Sequence, residues 1–200
     1  MKKINLLGSL VALLLTFGCN AENKNIDTST ISELNVERYM GTWYEIARFD
    51  HKFERGLVGN TALYMLEDDG TIKVFNAGYQ ETLDGKYQRS IGKARMPDKE
   101  KPGELEVSFF WNFYSPYKIL HLDENYKYAL IGSNSPKYLW ILSRTPQLPE
   151  DILQMLLDEA KARGYDIENL IQPMATDKQL HFTIHTDIIN NYIYCDKLRL

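Results

Sequence analysis

Between residues 41 and 143 the chain lays down eight short β-rich segments, with no helical stretch between any two of them. Parallel neighbours need crossover connections of a dozen or more residues, usually helical. Segments joined this closely therefore pair antiparallel, each with the next, in an up-and-down order. The first is GTWYEIARF, residues 41–49, and 61–66 and 72–79 follow, flanking the turn Glu67-Asp68-Asp69-Gly70. Next come 86–96, stopped by Pro97, and a strand after Lys101-Pro102-Gly103 in which Leu105, Val107 and Phe109 alternate with Glu104, Glu106 and Ser108. That period of two marks a half-buried strand. Segments 117–122, 126–132 and 138–143 complete the set, divided by Asp123-Glu124-Asn125 and by Asn134-Ser135-Pro136-Lys137.

The eighth segment is apolar on both faces, Tyr138-Leu139-Trp140-Ile141-Leu142, so something must cover its outer side. The next stretch is built to do so. Pro149 stands at a helix start, Glu150 and Asp151 suit the positive end of its dipole, Lys161 and Arg163 fall in its last turn, and Gly164 stops it. Ile152, Leu153, Leu156, Leu157 and Ala160 form one apolar stripe. The expected fold is all-β: an eight-stranded antiparallel up-and-down barrel with one C-terminal helix on the outside. A closed sheet of eight strands has room for one small ligand. A two-sheet sandwich would fill its middle with uniformly apolar side chains, whereas the inward faces here are mixed.

The chain has 200 residues, 44% of them hydrophobic, enough for one globular domain with a sizeable core. A net charge of −4 argues against nucleic acid as a partner, which calls for a basic footprint. The two cysteines, Cys19 and Cys195, build neither a disulfide framework nor a zinc site. Residues 1–18 read as a leader: Lys2 and Lys3, then an apolar run from Leu6 to Leu15 too short to span a bilayer comfortably. Thr16-Phe17-Gly18-Cys19 resembles a bacterial lipoprotein cleavage site, at which Cys19 becomes the lipidated first residue. An ordinary secretory leader with an incidental cysteine is the alternative. Residues 19–35 then form the lipidated cysteine and its polar tether, 36–175 the barrel and helix, and 176–200 a tail of undefined structure.

Three stretches in order resemble the signature regions of the lipocalins. They are Gly41-Thr42-Trp43, Tyr126-Lys127-Tyr128-Ala129 and Ser143-Arg144. GTWYEIARFDHKFERG, VSFF and YLWILSRTP, with a helix ending in Arg163-Gly164-Tyr165, are similar to the bacterial outer-membrane lipoprotein branch of that family, related to apolipoprotein D. The resemblance spans about residues 36–173. It implies that Trp43 closes the base of the barrel with Arg144 over its ring and Gly41 letting the chain pass close beneath, and that Glu45 faces the lower cavity.

With Trp43 inside, the family's strand register implies the ligand wall. Ala47 and Phe49 come from the first strand, Ala62 and Tyr64 from the second, Val74 and Asn76 from the third, and Ser90 and Gly92, small enough to leave room, from the fourth. Val107 and Phe109 follow, then Tyr117, Ile119 and His121, and finally Ile131, Tyr138 and Trp140. A slip of one residue would invert any of these sets. A mostly apolar wall with polar handles suits an amphipathic ligand such as a fatty acid or a lysophospholipid. Arg55, in a loop overhanging the open end beside Phe53, is a candidate partner for its head group. Phe113, Tyr114 and Tyr117 crowd another loop, where they would touch lipid or a second subunit. The bacterial branch further implies a homodimer, and an outer-membrane location, on the periplasmic face, through acylated Cys19.

Catalysis is not expected. His121 with Glu45 is the one acid–base pair inside the barrel, and no serine or cysteine nucleophile has an obvious partner. His181 and His185 are weak evidence for a metal, and neither a metal nor another cofactor is expected. Two alternatives to lipid binding remain: an envelope protein-interaction module with an incidental cavity, and a haem or tetrapyrrole binder with His121 as axial ligand.

Overall fold

The computed structural model describes residues 25–173. The expected leader, Cys19, His181, His185, Cys195 and the 176–200 tail lie outside those residues. The strands are β1 (Gly41–Phe49), β2 (Leu57–Leu66), β3 (Ile72–Gln80), β4 (Tyr87–Arg95), β5 (Glu104–Ser108), β6 (Ser115–Leu122), β7 (Tyr128–Gly132) and β8 (Leu139–Ser143). Each pairs antiparallel with the next, and β1 pairs with β2 on one side and β8 on the other, Trp43 opposite Ala62 and Glu45 opposite Leu142. The sheet is therefore the closed barrel that its short connections require.

Helix α2 (Glu150–Ala162) runs from Pro149, whose carbonyl accepts the Leu153 N–H, to Gly164, which takes the left-handed φ of +92° that favours glycine. Leu153, Leu156 and Ala160 are its buried stripe. They meet the outward side chains of β8, Leu139 and Ile141, with Leu130, Leu120 and Tyr44. A second core lies inside the barrel around Trp43, Tyr64, Val74, Leu105, Ile119 and Ile131. The doubly apolar eighth strand thus serves both cores.

Two small elements had no clear sequence signal. Helix α1 (Val36–Tyr39) is only one turn long, with Asn35 Oδ1 accepting the Arg38 N–H at 2.8 Å. Strand β9 (Leu170–Ile171) follows a 3₁₀ turn (Ile167–Asn169) and pairs with the end of β1. Strand β2 starts at Leu57, four residues ahead of expectation, because an irregularity between Val58 and Thr61, with Gly59 at φ +62°, carries the chain into the sheet earlier.

Alternation of strand direction puts the β1–β2, β3–β4, β5–β6 and β7–β8 loops at one end, here called the mouth. The remaining loops and α1 lie at the other end, the base.

Candidate functional site: the barrel interior

The base is sealed. Trp43 is fully buried, its Nε1 donates to the Tyr39 carbonyl at 2.9 Å, and the Arg144 guanidinium lies 3.8 Å from the indole ring centroid. Arg144 also donates to the carbonyls of Thr42, Arg38, Tyr39, Met40 and Tyr126. Gly41, at φ +92°, brings the chain under that guanidinium, where a β-carbon would stand 3.4 Å from Nη1. A partly buried cation over a buried indole contributes about 1–2 kcal/mol, so this end is a plug with no room for a ligand.

Above the plug lies a layer of tyrosines. Tyr39 stacks on Tyr64 with centroids 5.8 Å apart, and Tyr117 Oη bridges Tyr39 Oη at 2.6 Å and Tyr64 Oη at 3.2 Å. Burial pushes the Tyr64 phenol up to about 12 and those of Tyr39 and Tyr117 well above their ordinary value. All three are neutral hydrogen-bonding groups at physiological pH. Tyr117 therefore belongs to this inner floor rather than to a surface loop.

The most informative part of the wall is charged. Arg48, only 1% exposed, donates from Nη1 to Glu45 Oε1 at 2.5 Å and from Nη2 to the carbonyls of Glu54 and Leu57. Asn60 Nδ2 donates to the same Glu45 oxygen at 3.2 Å. Glu54 comes in from the mouth loop, accepting from Trp140 Nε1 at 3.1 Å and lying 2.9 Å from His51 Nε2. The loop after β1 is thus pinned from inside by Arg48 and Trp140. Arg48 thus bonds the carboxylate of Glu45 but only the backbone of Glu54, whose carboxylate lies within the same desolvated network and feels the Arg48 charge. Burial, then the Glu54 charge, push the Glu45 carboxyl up to about 8. Burial also pulls Glu54 upward, but the contacts from His51 and Trp140 with the Arg48 charge outweigh it and hold Glu54 below its usual value. Arg48 Nε and the Oδ1 atoms of Asn60 and Asn76 are buried without partners, which leaves one donor and two acceptors for a polar group of a bound molecule.

Arg48 took the inward place that the alternation from Trp43 gives to Ala47. Between Glu45 and Ala47 the β1–β8 register slips, so Glu45 faces Leu142 but Ala47 faces Ile141. From there the parity of β1 is inverted. Ala47 and Phe49 join the core under α2, Phe49 lying 6.2 Å from Tyr165. A second slip, between Ile119 and His121, inverts β6. His121 then points outward, its Nδ1 2.7 Å from Glu159 Oε2 on α2. Neither an axial ligand nor an acid–base pair with Glu45 can be built from it.

The other expected wall residues fall in two groups. Ala62, Tyr64, Val74, Val107, Tyr117, Ile119, Ile131 and Trp140 pack in or against the inner core, and Tyr138 stacks on Trp140 at 6.1 Å. Asn76, opposite Ser90, and Gly92, opposite Val74, lie higher on β3 and β4. Ser90 is exposed, and Phe109 lies just past β5, its ring so close to Gly92 that a β-carbon there would sit 2.7 Å from Cδ1. Strand β4 pairs with β5 only from Lys93 to Arg95, so the wall is open beside its upper half. Arg55 is exposed and paired with Asp50. Sequence reasoning missed Arg48, Asn60, His51 and Glu54. The one available signal was Arg48 three residues after Glu45 within an otherwise apolar strand.

A closed eight-stranded barrel, plugged at one end and carrying a buried polar cluster in its wall toward the other, is the architecture of a container for one small, largely hydrophobic molecule. The chain belongs to the lipocalin family, ligand-holding barrels of this kind: the family model "Lipocalin-like domain" matches residues 34–175. It is 40% identical to the outer membrane lipoprotein Blc of Escherichia coli (strain K12) over 171 residues, 86% of this chain and 96% of the relative. Its identity to the Vibrio cholerae lipoprotein of the same name is 44% over 142 residues, 70% of this chain and 82% of that one. Mouse apolipoprotein D is 35% identical over 145 residues, 68% and 74% of the two chains. Among solved structures, apocrustacyanin C1 superposes with a TM-score of 0.62 at 18% identity, covering 76% of this chain and 86% of that one, a likeness of fold alone.

Proposed function

We propose that this protein binds and carries amphipathic lipids, fatty acids or lysophospholipids, in the barrel interior and does no chemistry on them. The observation that carries the reading is the polarity of the container. Its floor and lower wall are apolar or neutral, whereas its unpartnered polar atoms, Arg48 Nε and the amide oxygens of Asn60 and Asn76, are buried in the wall above. A ligand with one polar group and one acyl chain matches that division. Arg48 with Asn60 replaces Arg55 as the head-group candidate, because Arg55 is exposed and engaged with Asp50.

The names of the Escherichia coli and Vibrio relatives support an outer-membrane location with Cys19 as the acylated residue. We place the barrel on the periplasmic face. A test is to titrate the delipidated protein with lysophospholipid and with fatty acid while following tryptophan emission. Trp140 stands at the head-group cluster, so a saturable change absent from Trp140→Phe is expected. Absence of saturation with either ligand from a folded barrel would reject the carrier reading.

A further inference from the structure

The mouth carries a surface that ligand binding does not explain. Residues 109–114 read FFWNFY and contain no charge, and Phe110, Trp111 and Phe113 are 73%, 78% and 74% exposed. Phe53, 71% exposed, stands in another loop of the same end. Four large rings held in water cost free energy unless something covers them. Lysines flank them: Lys52 Nζ lies 5.1 Å from the Phe53 ring centroid, and Lys93 bonds Asn112 Oδ1 at 3.0 Å. Rings mixed with basic groups are what a membrane interface accepts. The base loops are more acidic than the mouth loops, with Glu67, Asp68 and Asp69 in one and Asp123 and Glu124 in another.

An independent observation fixes which end is held near a membrane. The first described residues lie at the mouth side of α2. Asp27 N–H donates to the Arg163 carbonyl, and the Asn25 carbonyl would lie 3.4 Å from a β-carbon at Gly164. This is the end of α2 where Tyr165 meets Phe49 and Gly132, the last residues of β1 and β7 before their mouth loops. Cys19 is six residues before Asn25, a reach of about 20 Å at full extension. The 13 residues of α2 are about as long. Seating the base on a bilayer would stretch that link taut along the barrel, whereas seating the mouth asks nothing of it.

We propose that the mouth is a membrane-docking surface: the loop of residues 109–114, with Phe53 on the β1–β2 loop across the same rim, seats in the interfacial layer of an anionic bilayer, and the acylated chain start holds that end down. The inference rests on the anchor at Cys19 proposed above. A ligand then passes between bilayer and barrel without crossing water.

The test uses the full acylated chain in phosphatidylethanolamine–phosphatidylglycerol vesicles, with and without lipids brominated in the acyl chains. Flotation reports the anchor, and tryptophan quenching reports the mouth. The protein is expected to float and its emission to fall about two-fold with bromolipid, the depth of an interfacial ring. Trp111→Phe should float equally with most of that quenching gone, and Trp111 is too exposed for the change to disturb folding. A protein that floats unquenched refutes docking while leaving the anchor intact. One that does not float refutes both. A Trp111 emission change that follows protein concentration in detergent, without vesicles, would assign the surface to a second copy of the chain and also refute docking.

Discussion

Replacing Glu45 by Gln should remove most of the pH dependence of stability near neutrality. Glu45 is buried against Arg48, with Glu54 on the same network, and its carboxyl is raised from the ordinary 4.5 to about 8. A group whose folded pKa is raised contributes stability that is fully present below the unfolded value and is lost as pH climbs to the folded one. The loss therefore runs from about pH 4.5 to about pH 8. At about 1.4 kcal/mol per pH unit the ceiling is about 5 kcal/mol. Relaxation and water penetration around two ionised carboxylates lower the penalty below that ceiling, so about 3 kcal/mol is expected. Gln keeps the oxygen that accepts from Arg48 and Asn60 and cannot ionise. Urea unfolding of both proteins at pH 5 and pH 8.5 decides the matter. With slopes of about 1–3 kcal/mol per molar, the wild-type midpoint should drop by about 1–3 M more than that of Glu45→Gln. Parallel pH profiles for the two proteins would refute the reasoning. Glu54, lowered, exerts its effect only below its ordinary value, and the buried tyrosines only above about pH 10, so neither enters this window.

Arg144→Met keeps the stem but loses five donations and the cation over Trp43; a cost of about 2–4 kcal/mol is expected in chemical denaturation. Gly92→Val drives a β-carbon to within 2.6 Å of the Ser108 carbonyl, so about 1–3 kcal/mol of stability and much of the ligand affinity should be lost together, checked by urea midpoint and Trp140 titration. His121→Ala should leave ligand binding unchanged and reduce stability by less than about 1 kcal/mol, because its contact with Glu159 is outside the barrel and partly solvated.

The strand count, the antiparallel order and the outer helix were legible because period-two alternation, turn residues and helix-end signals are local. Side-chain parity was legible only as far as the first slip. Trp43, Ala62, Val74 and Ile131 keep the alternation and lie where it puts them, whereas Ala47, Phe49 and His121 come after irregularities at Ile46 and Leu120. Neither site has a glycine to mark it. Both are set by the fit of β1 to β8 and of β6 to β7, which is a tertiary property. The charged cluster was hidden for the same reason: Glu45 and Arg48, three apart, point to opposite faces in a regular strand and meet only because the slip brings them together.

The seal at the base joins residues far apart in the chain: Arg144 bonds the Thr42 carbonyl, 102 positions earlier, and β8 closes against β1. Closure therefore comes late in folding, after a long search at high contact order. Until residues 139–144 arrive, β1 and β7 present unpaired edges of the kind that recruit other chains. A chain shortened before Leu139 should yield an aggregating open sheet, and refolding of the intact chain should compete with association in a concentration-dependent way.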